Sequence, residues 1–299
     1  TNKTLNSSVG RNLTSVESTD IANYVGKTVV AGNVRRSAEI ALGSPKDSAF
    51  ITMKQDREML TSHRWASNNS VIVDRSFNEY DEIANALIVN GEPAIVNMEL
   101  SRNFGRIIDG EQFGIDEDAE GTNPCGEISL ANGEPCNLFE VFPLIAEEQG
   151  WDLEEAFALA ARYAKRVTFS NYEWEVSRKI IEKNRRIGVS MSGIQDWVLK
   201  AFDGRLVVGW DGDKPVYNEA AIKRVNELYE AVQRADEMYS EKLGCCLSVK
   251  TTTIKPSGTV SKLAGVSEGV HYHYAKFLIQ RIRFQDSDPL MPFIKAAGF

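Results

Sequence analysis

The chain has 299 residues, with 34 Lys and Arg against 42 Asp and Glu, a formal charge of −8. An apolar share of 42% with 25% charged residues is that of a folded globular protein and excludes a disordered one. The acidic balance argues against a broad grip on nucleic acid, no run of 18 apolar residues supports a membrane span, and four Cys are too few for a disulfide scaffold, so a reducing, cytoplasmic setting is the default.

Residues 1–20, rich in Asn, Ser and Thr, read as a flexible lead-in, and both ends of the chain read as cuts through a longer protein. Three Asn-X-Ser/Thr triplets lie in this stretch without the secretory segment that would make them glycan sites. Ser37 to Leu42 and Ser70 to Val73 predict short strands, the first ended by Gly43-Ser44-Pro45. Tyr80 to Val89 predicts a helix closed near Gly91, and Pro93 to Leu100 a buried strand. Helices are expected over Leu138 to Ile145 and Leu153 to Val167, a strand over Arg186 to Met191, and a helix from Ile194 to Ala201. The strongest periodicity is Ile222, Val225, Leu228, Tyr229, Val232, Ala235 and Met238, a helix from Asn218 to Leu243 capped by Asn218 and ended by Gly244. A strand over Lys250 to Ile254 and a helix from Val260 follow. Strands alternating with helices imply an α/β fold with parallel strands; periodicity does not say whether the sheet is open or closed.

Four segments could carry chemistry. Asn123-Pro124-Cys125-Gly126-Glu127 packs an amide, a thiol and an acid at alternate positions, which share a face in extended chain. A carboxylate beside a thiol suppresses the thiolate. That argues against cysteine-hydrolase chemistry and suits a thiol that reacts as a radical; a buried Cys in a surface turn is the plainer alternative. Cys136 lies eleven residues on, no zinc spacing, and the three His do not complete a site, so no metal is expected. The two Cys are compatible with redox partners, neighbours with separate tasks, or no relation. Adjacent Cys245 and Cys246 read as structural. Lys255-Pro256-Ser257-Gly258-Thr259 is a turn before a helix start, suited to an anion or to simple capping. Asn33, Arg35 and Arg36 could meet phosphate or base, although paired Arg on a solvated face is commoner. His271 and His273 alternate in Val270-His271-Tyr272-His273-Tyr274, a weak metal argument.

Taken in order, Asn123-Pro124-Cys125-Gly126-Glu127, Glu134-Pro135-Cys136-Asn137-Leu138, Asn184-Arg185-Arg186-Ile187-Gly188-Val189 and Lys255-Pro256-Ser257-Gly258-Thr259 resemble the ribonucleotide reductase large chain. Gly32 to Leu42, Arg64 to Ser70, Gly121 to Gly150 and Gln280 to Leu290 are similar to its monomeric, adenosylcobalamin-dependent (class II) branch, which reduces ribonucleoside triphosphates. The resemblance implies part of a ten-stranded α/β barrel with a central finger loop, over residues 21–299. It implies that Cys125 becomes the thiyl radical, Glu127 is the base for the 3′-hydroxyl, Asn123 orients the sugar and Cys136 is one of two reducing thiols. Ser257, Gly258 and Thr259 would hold substrate phosphates, and Asn33, Arg35 and Arg36 would lie on the loop that links effector and substrate. Adenosylcobalamin is the implied cofactor. The implied partners are a ribonucleoside triphosphate, a deoxynucleotide effector, a thioredoxin-type reductant acting through a C-terminal tail, and the remaining parts of the reductase chain. No counterpart of the second reducing Cys is present, so the chain resembles the middle of such an enzyme and is not expected to turn over repeatedly alone. A tyrosyl-radical (class I) large chain and a non-catalytic nucleotide-binding module are the competing readings.

Overall fold

The computed structural model describes residues 2–31, 37–279 and 287–298. They fall into two compact units: Thr1–Leu100 with Phe277–Phe299, and Ser101–Lys276.

The first unit opens with helices α1 (Asn2–Ser7) and α2 (Ser15–Ala31), so the stretch read as a flexible lead-in contains helix. The cause is a capping box that the sequence does contain, Thr14 with Glu17. The Glu17 carboxylate accepts from the Thr14 amide at 2.9 Å, and the Thr14 hydroxyl accepts from the Glu17 amide at 3.2 Å. Strands β1 (Glu39–Gly43), β2 (Ser67–Val73) and β3 (Ala94–Asn97) make a parallel sheet in that order. Helices α3 (Ser48–Thr52) and α4 (Arg57–Ser62) connect β1 to β2, and α5 (Asp81–Asn90) connects β2 to β3. Phe50, Ile51, Val71, Val73 and Ile83 form the core. Burying each of these large side chains contributes about 1.5–3 kcal/mol. The buried strand expected over Pro93 to Leu100 is shorter. Ala94 and Ile95 are exposed at the sheet edge, and the chain turns at Met98 into α6 (Met98–Asn103), where the Asn97 side chain accepts from the Leu100 amide at 3.0 Å.

In the second unit, β4 (Gly121–Thr122) and β5 (Ser129–Leu130) pair antiparallel, and β6 (Leu138–Val141) pairs parallel with β7 (Gly188–Met191). The expected helix over Leu138 to Ile145 is thus a strand followed by α7 (Pro143–Glu148). Phe142 precedes a proline and is extended, so the helix cannot begin before Pro143. Helices α8 (Leu153–Val167), α9 (Glu175–Asn184) and α10 (Ile194–Ala201) follow, then the hairpin β8 (Val207–Asp211) and β9 (Lys214–Tyr217), α11 (Glu219–Leu243) and α12 (Val260–Ala264). Asn218 caps α11 and Gly244 ends it. Ala160, Ala161 and Ala164 of α8 form one core with Leu228, Val232 and Ala235 of α11. The buried Lys165 ammonium joins these helices through Asp236 at 2.9 Å. The Lys250 to Ile254 strand is reduced to one parallel bridge, Val189 with Thr252.

The long ladders β1–β2–β3 and β6–β7 are parallel, as the alternation of strands and helices implies. A closed ten-stranded barrel is absent among the described residues. They carry four sheets of three, two, two and two strands, and ladders of that size cannot close on themselves. No helix among the described residues is long and apolar enough to cross a membrane.

Candidate active site

The segment that carries Cys125 is the end of the β4–β5 hairpin. The Gly126 amide donates to the Asn123 carbonyl at 2.9 Å, closing a turn with Pro124 at its second position. Gly126 then takes φ +78°, which a side chain resists. The Asn123 side chain tightens the loop by accepting from the Ile128 amide at 3.3 Å. Strand alternation is therefore not what brings the predicted residues together. The turn exposes the Cys125 thiol, while Asn123 is buried and turns its amide nitrogen to the Cys136 sulfur at 3.5 Å.

The electrostatics couple the same residues. Burial pushes the Cys125 thiol up, and the Glu127 carboxylate adds to that, against a weaker pull from the Lys255 ammonium. Cys136 is raised by burial and by Glu127, again opposed by Lys255. Both sulfurs are free thiols held in the S–H form at neutral pH. The Glu127 carboxylate oxygens are buried and accept no hydrogen bond among the described residues. An acid that carries no structural bond stands beside two protonated thiols, an arrangement for moving a proton and for donating hydrogen from sulfur.

A buried ionic cluster fixes this loop. Asp116 takes both Arg186 guanidinium nitrogens, at 2.8 and 2.5 Å, and the Ser129 hydroxyl of β5 at 2.7 Å. Arg186 also meets Glu134 at 3.0 Å, and Lys250 meets Asp116 at 3.2 Å. Glu134 accepts from the Asn184 amide at 3.1 Å and from the Ala131 amide at 2.8 Å. Ser129 opens β5 just after the loop and Glu134 lies two residues before Cys136, so one cluster anchors the chain between the two thiols. Asp116 and Lys250 were not expected at the site from the sequence; Arg186 and Glu134 were visible only inside their short motifs. The partners lie up to 134 residues apart in the chain, beyond any local signal.

The run 251–255 lies extended along β7: the Thr253 amide donates to the Val189 carbonyl at 3.1 Å and the Lys255 amide to the Ser190 hydroxyl at 2.9 Å. The Thr253 hydroxyl donates to the Glu127 carbonyl and ties this run to the hairpin loop. The turn that follows has Ser257 at φ +41° with a buried side chain whose hydroxyl donates to Glu140 at 2.7 Å. Glu140 also accepts from the Ser192 hydroxyl, which in turn accepts from the Gly269 amide at 3.0 Å. Ser257 is thus committed to holding the turn, whereas Gly258 and Thr259 are open. Gly269 has φ +47°, and a Cβ there would lie 2.5 Å from the Lys255 carbonyl oxygen. Gly269→Ala is therefore expected to lower stability by roughly 2–4 kcal/mol, read as a urea midpoint shift at unchanged slope.

Asn33, Arg35 and Arg36 lie outside the described residues. His273 is exposed and meets Asp196 at 3.1 Å. Cys246, exposed, directs its thiol to the Lys183 carbonyl at 3.2 Å. No group of three or more His, Cys, Asp or Glu among the described residues is placed to hold a metal ion.

No family model matches the chain. Among curated proteins it is 66% identical, over its whole length, to an adenosylcobalamin-dependent ribonucleoside-triphosphate reductase of Levilactobacillus brevis, and 65% identical to one of Lactobacillus leichmannii. The chain spans about 41% and 42% of the length of these relatives. Among solved structures, a B12-dependent (class II) ribonucleotide reductase matches 99% of the chain with a TM-score of 0.88 at 64% identity, over 42% of its own length. The class Id ribonucleotide reductase alpha subunit of Actinobacillus ureae matches 83% of the chain, over 52% of its own length, with a TM-score of 0.54 at 14% identity, a likeness of fold alone.

Proposed function

We propose that this chain, which belongs along its whole length to the adenosylcobalamin-dependent ribonucleotide reductases, provides the thiol-bearing part of an enzyme that reduces ribonucleoside triphosphates to 2′-deoxyribonucleoside triphosphates. The observation that carries this reading is the exposed Cys125 thiol, kept protonated beside Glu127, with Cys136 hydrogen-bonded to Asn123 of the same loop. The residues fit the cofactor of the relatives at the sulfur: Cys125 is the group of this chain that would meet it, exposed and in the S–H form. Adenosylcobalamin, when bound, supplies the one-electron oxidation of that thiol.

The remaining steps belong to the chain's own residues. The Cys125 sulfur takes the hydrogen atom from ribose C3′. Glu127 accepts the 3′-hydroxyl proton, and its unbonded oxygens leave it free to do so. The 2′-hydroxyl leaves as water. Cys136 and a second thiol supply two electrons and two protons and become a disulfide, so ribonucleotide and two thiols give deoxyribonucleotide, disulfide and water. Asn123 orients the sugar next to Cys136. Gly258 and Thr259 offer an amide and a hydroxyl to the substrate phosphates, on a turn that Ser257 holds in shape. The ten-stranded α/β barrel with a central finger loop is assigned to the whole reductase, to which this chain contributes parallel strands and the β4–β5 hairpin loop. A deoxynucleotide effector acting through Asn33, Arg35 and Arg36, a thioredoxin-type reductant, and the rest of the reductase chain complete the assembly.

The test is exchange of tritium from the ribose C3′ position by the full-length reductase with adenosylcobalamin. Glu127→Gln is expected to slow it by about 10²–10⁴-fold, the scale of a lost general base. Exchange at the wild-type rate in that variant removes Glu127 from the mechanism.

A further inference from the structure

The acid of this site has no side-chain bond to hold it in place. Both Glu127 carboxylate oxygens are buried and accept no hydrogen bond among the described residues, so the backbone must set where the acid stands. On one side, a Cβ at Gly126 would meet nothing within 4 Å, and the loop gains no packing there. On the other, Ile128 is pinned: its amide donates to the Asn123 side chain at 3.3 Å, and its carbonyl accepts from the Asn123 amide at 3.2 Å. At Glu127 itself the bond comes from Thr253, whose hydroxyl donates to the Glu127 carbonyl. The Thr253 backbone is fixed along β7. The Val189 amide donates to the Thr251 carbonyl at 2.8 Å, the Thr253 amide to the Val189 carbonyl at 3.1 Å, and the Lys255 amide to the Ser190 hydroxyl at 2.9 Å. A β-branched side chain on a fixed backbone has few rotamers. The Thr253 methyl faces Gly188, where a Cβ would lie 3.1 Å from it, 3.2 Å from the Ile128 side chain and 2.5 Å from that of Leu138. The bare backbone of Gly188 thus seats the methyl, which leaves the hydroxyl aimed at the loop.

We propose that Thr253 is the positioning residue of Glu127: its hydroxyl, aimed by the methyl seated against Gly188, fixes the backbone from which the acid reaches the substrate. The physical need is specific. A general base works only within hydrogen-bond reach of the proton it takes, and a misplacement of about 1 Å costs about 10²-fold in rate. A base whose own oxygens bond nothing in the protein can be held to that tolerance only through its main chain. The inference deepens the reductase reading, since it rests on Glu127 as the base. The hold on the loop is measurable without turnover, so the two fail separately.

The experiment takes the full-length reductase and reads amide hydrogen exchange over residues 126–128 and, with adenosylcobalamin, tritium exchange at ribose C3′. Thr253→Val keeps the methyl against Gly188 and removes the hydroxyl. It is expected to speed amide exchange at 126–128 by about five- to tenfold, the scale of one lost hydrogen bond, while the α11 amides keep their rates. Its kcat for tritium exchange should fall by about 10- to 100-fold at an unchanged KM. Thr253→Ser, which keeps the hydroxyl, is expected to restore both readouts. Glu127→Gln is run alongside. A wild-type rate in that variant removes the base and this proposal with it, whereas a slow Glu127→Gln beside a wild-type Thr253→Val ends this proposal alone. A loosened loop without slower tritium exchange makes Thr253 a structural tie and overturns the proposal. So does a raised KM at unchanged kcat, or a Thr253→Ser as slow as Thr253→Val. Should Thr253→Val fail to fold, Thr253→Ala takes its place and the same outcomes decide.

Discussion

Cys125→Ser in the full-length reductase is expected to abolish 3′-hydrogen exchange while cofactor binding persists. The hydroxyl that replaces the thiol occupies the same exposed position at the end of the β4–β5 hairpin, but it does not yield a hydrogen atom where sulfur does. The loss should be on the order of 10⁶-fold, the scale reached when a residue that forms the reactive intermediate is removed. The contrast with Cys136→Ser makes the result diagnostic. Cys136 accepts from the Asn123 side-chain amide and is assigned the electron supply. Its serine variant should retain exchange at C3′ and lose deoxynucleotide formation. Tritium release and product analysis on the same samples separate the two. Equal loss of exchange in both variants would contradict the division of labour between the two sulfurs.

Arg186→Met is expected to cost about 3–5 kcal/mol of stability, because it leaves two buried acids without their shared cation. Burial pushes the Asp116 carboxyl up, but hydrogen bonding and charge from Arg186, with Ser129 and Lys250, more than offset this and leave it below the usual carboxylate range. A carboxyl depressed in the folded state contributes stability that is present above its unfolded value of about 3.9 and is lost as pH falls through the folded value. The wild-type urea midpoint should therefore decline below about pH 4. In Arg186→Met the sign reverses for Asp116, since burial now dominates, and acidification from neutral pH should narrow the gap to wild type. A gap that is constant with pH would show that the loss comes from packing and not from charge. The same variant should slow the thiol chemistry, because Arg186 shares Asp116 with Ser129 and pairs with Glu134, two anchors of the segment between Cys125 and Cys136.

The helices were the most readable part of the sequence. Leu153 to Val167 and the helix after Asn218 both appear as expected, the second with its helical spacing and its Asn218 and Gly244 caps. The failures have local causes. Leu138 to Ile145 merged two elements because Leu138, Val141, Leu144 and Ile145 fit helical spacing, although Pro143 marked where the helix had to start. The run 250–254 is β-branched yet scarcely paired, since a strand is defined by its neighbours and not by its own propensity. At the site, Asn123, Cys125, Glu127 and Cys136 stood out because thiol, acid and amide at such spacing serve no packing purpose. The shared face of Asn123, Cys125 and Glu127 was expected from strand alternation, and the Pro124–Gly126 turn stands in its place. Ser257 was expected on phosphate, and its hydroxyl is committed to Glu140. The cluster of Asp116, Glu134, Arg186 and Lys250 was illegible, because long-range ion pairing leaves no periodic trace in a single sequence.

Glu140 gives one oxygen to Ser192 and the other to Ser257, and Ser192 holds the amide of Gly269. Three stretches of chain far apart in sequence therefore share one clasp, whose two arms are not interchangeable. Losing either hydroxyl leaves half of the carboxylate bare, and losing the carboxylate frees both serines at once. Over evolutionary time such a trio drifts together or stays fixed, even though none of its members needs to touch the nucleotide.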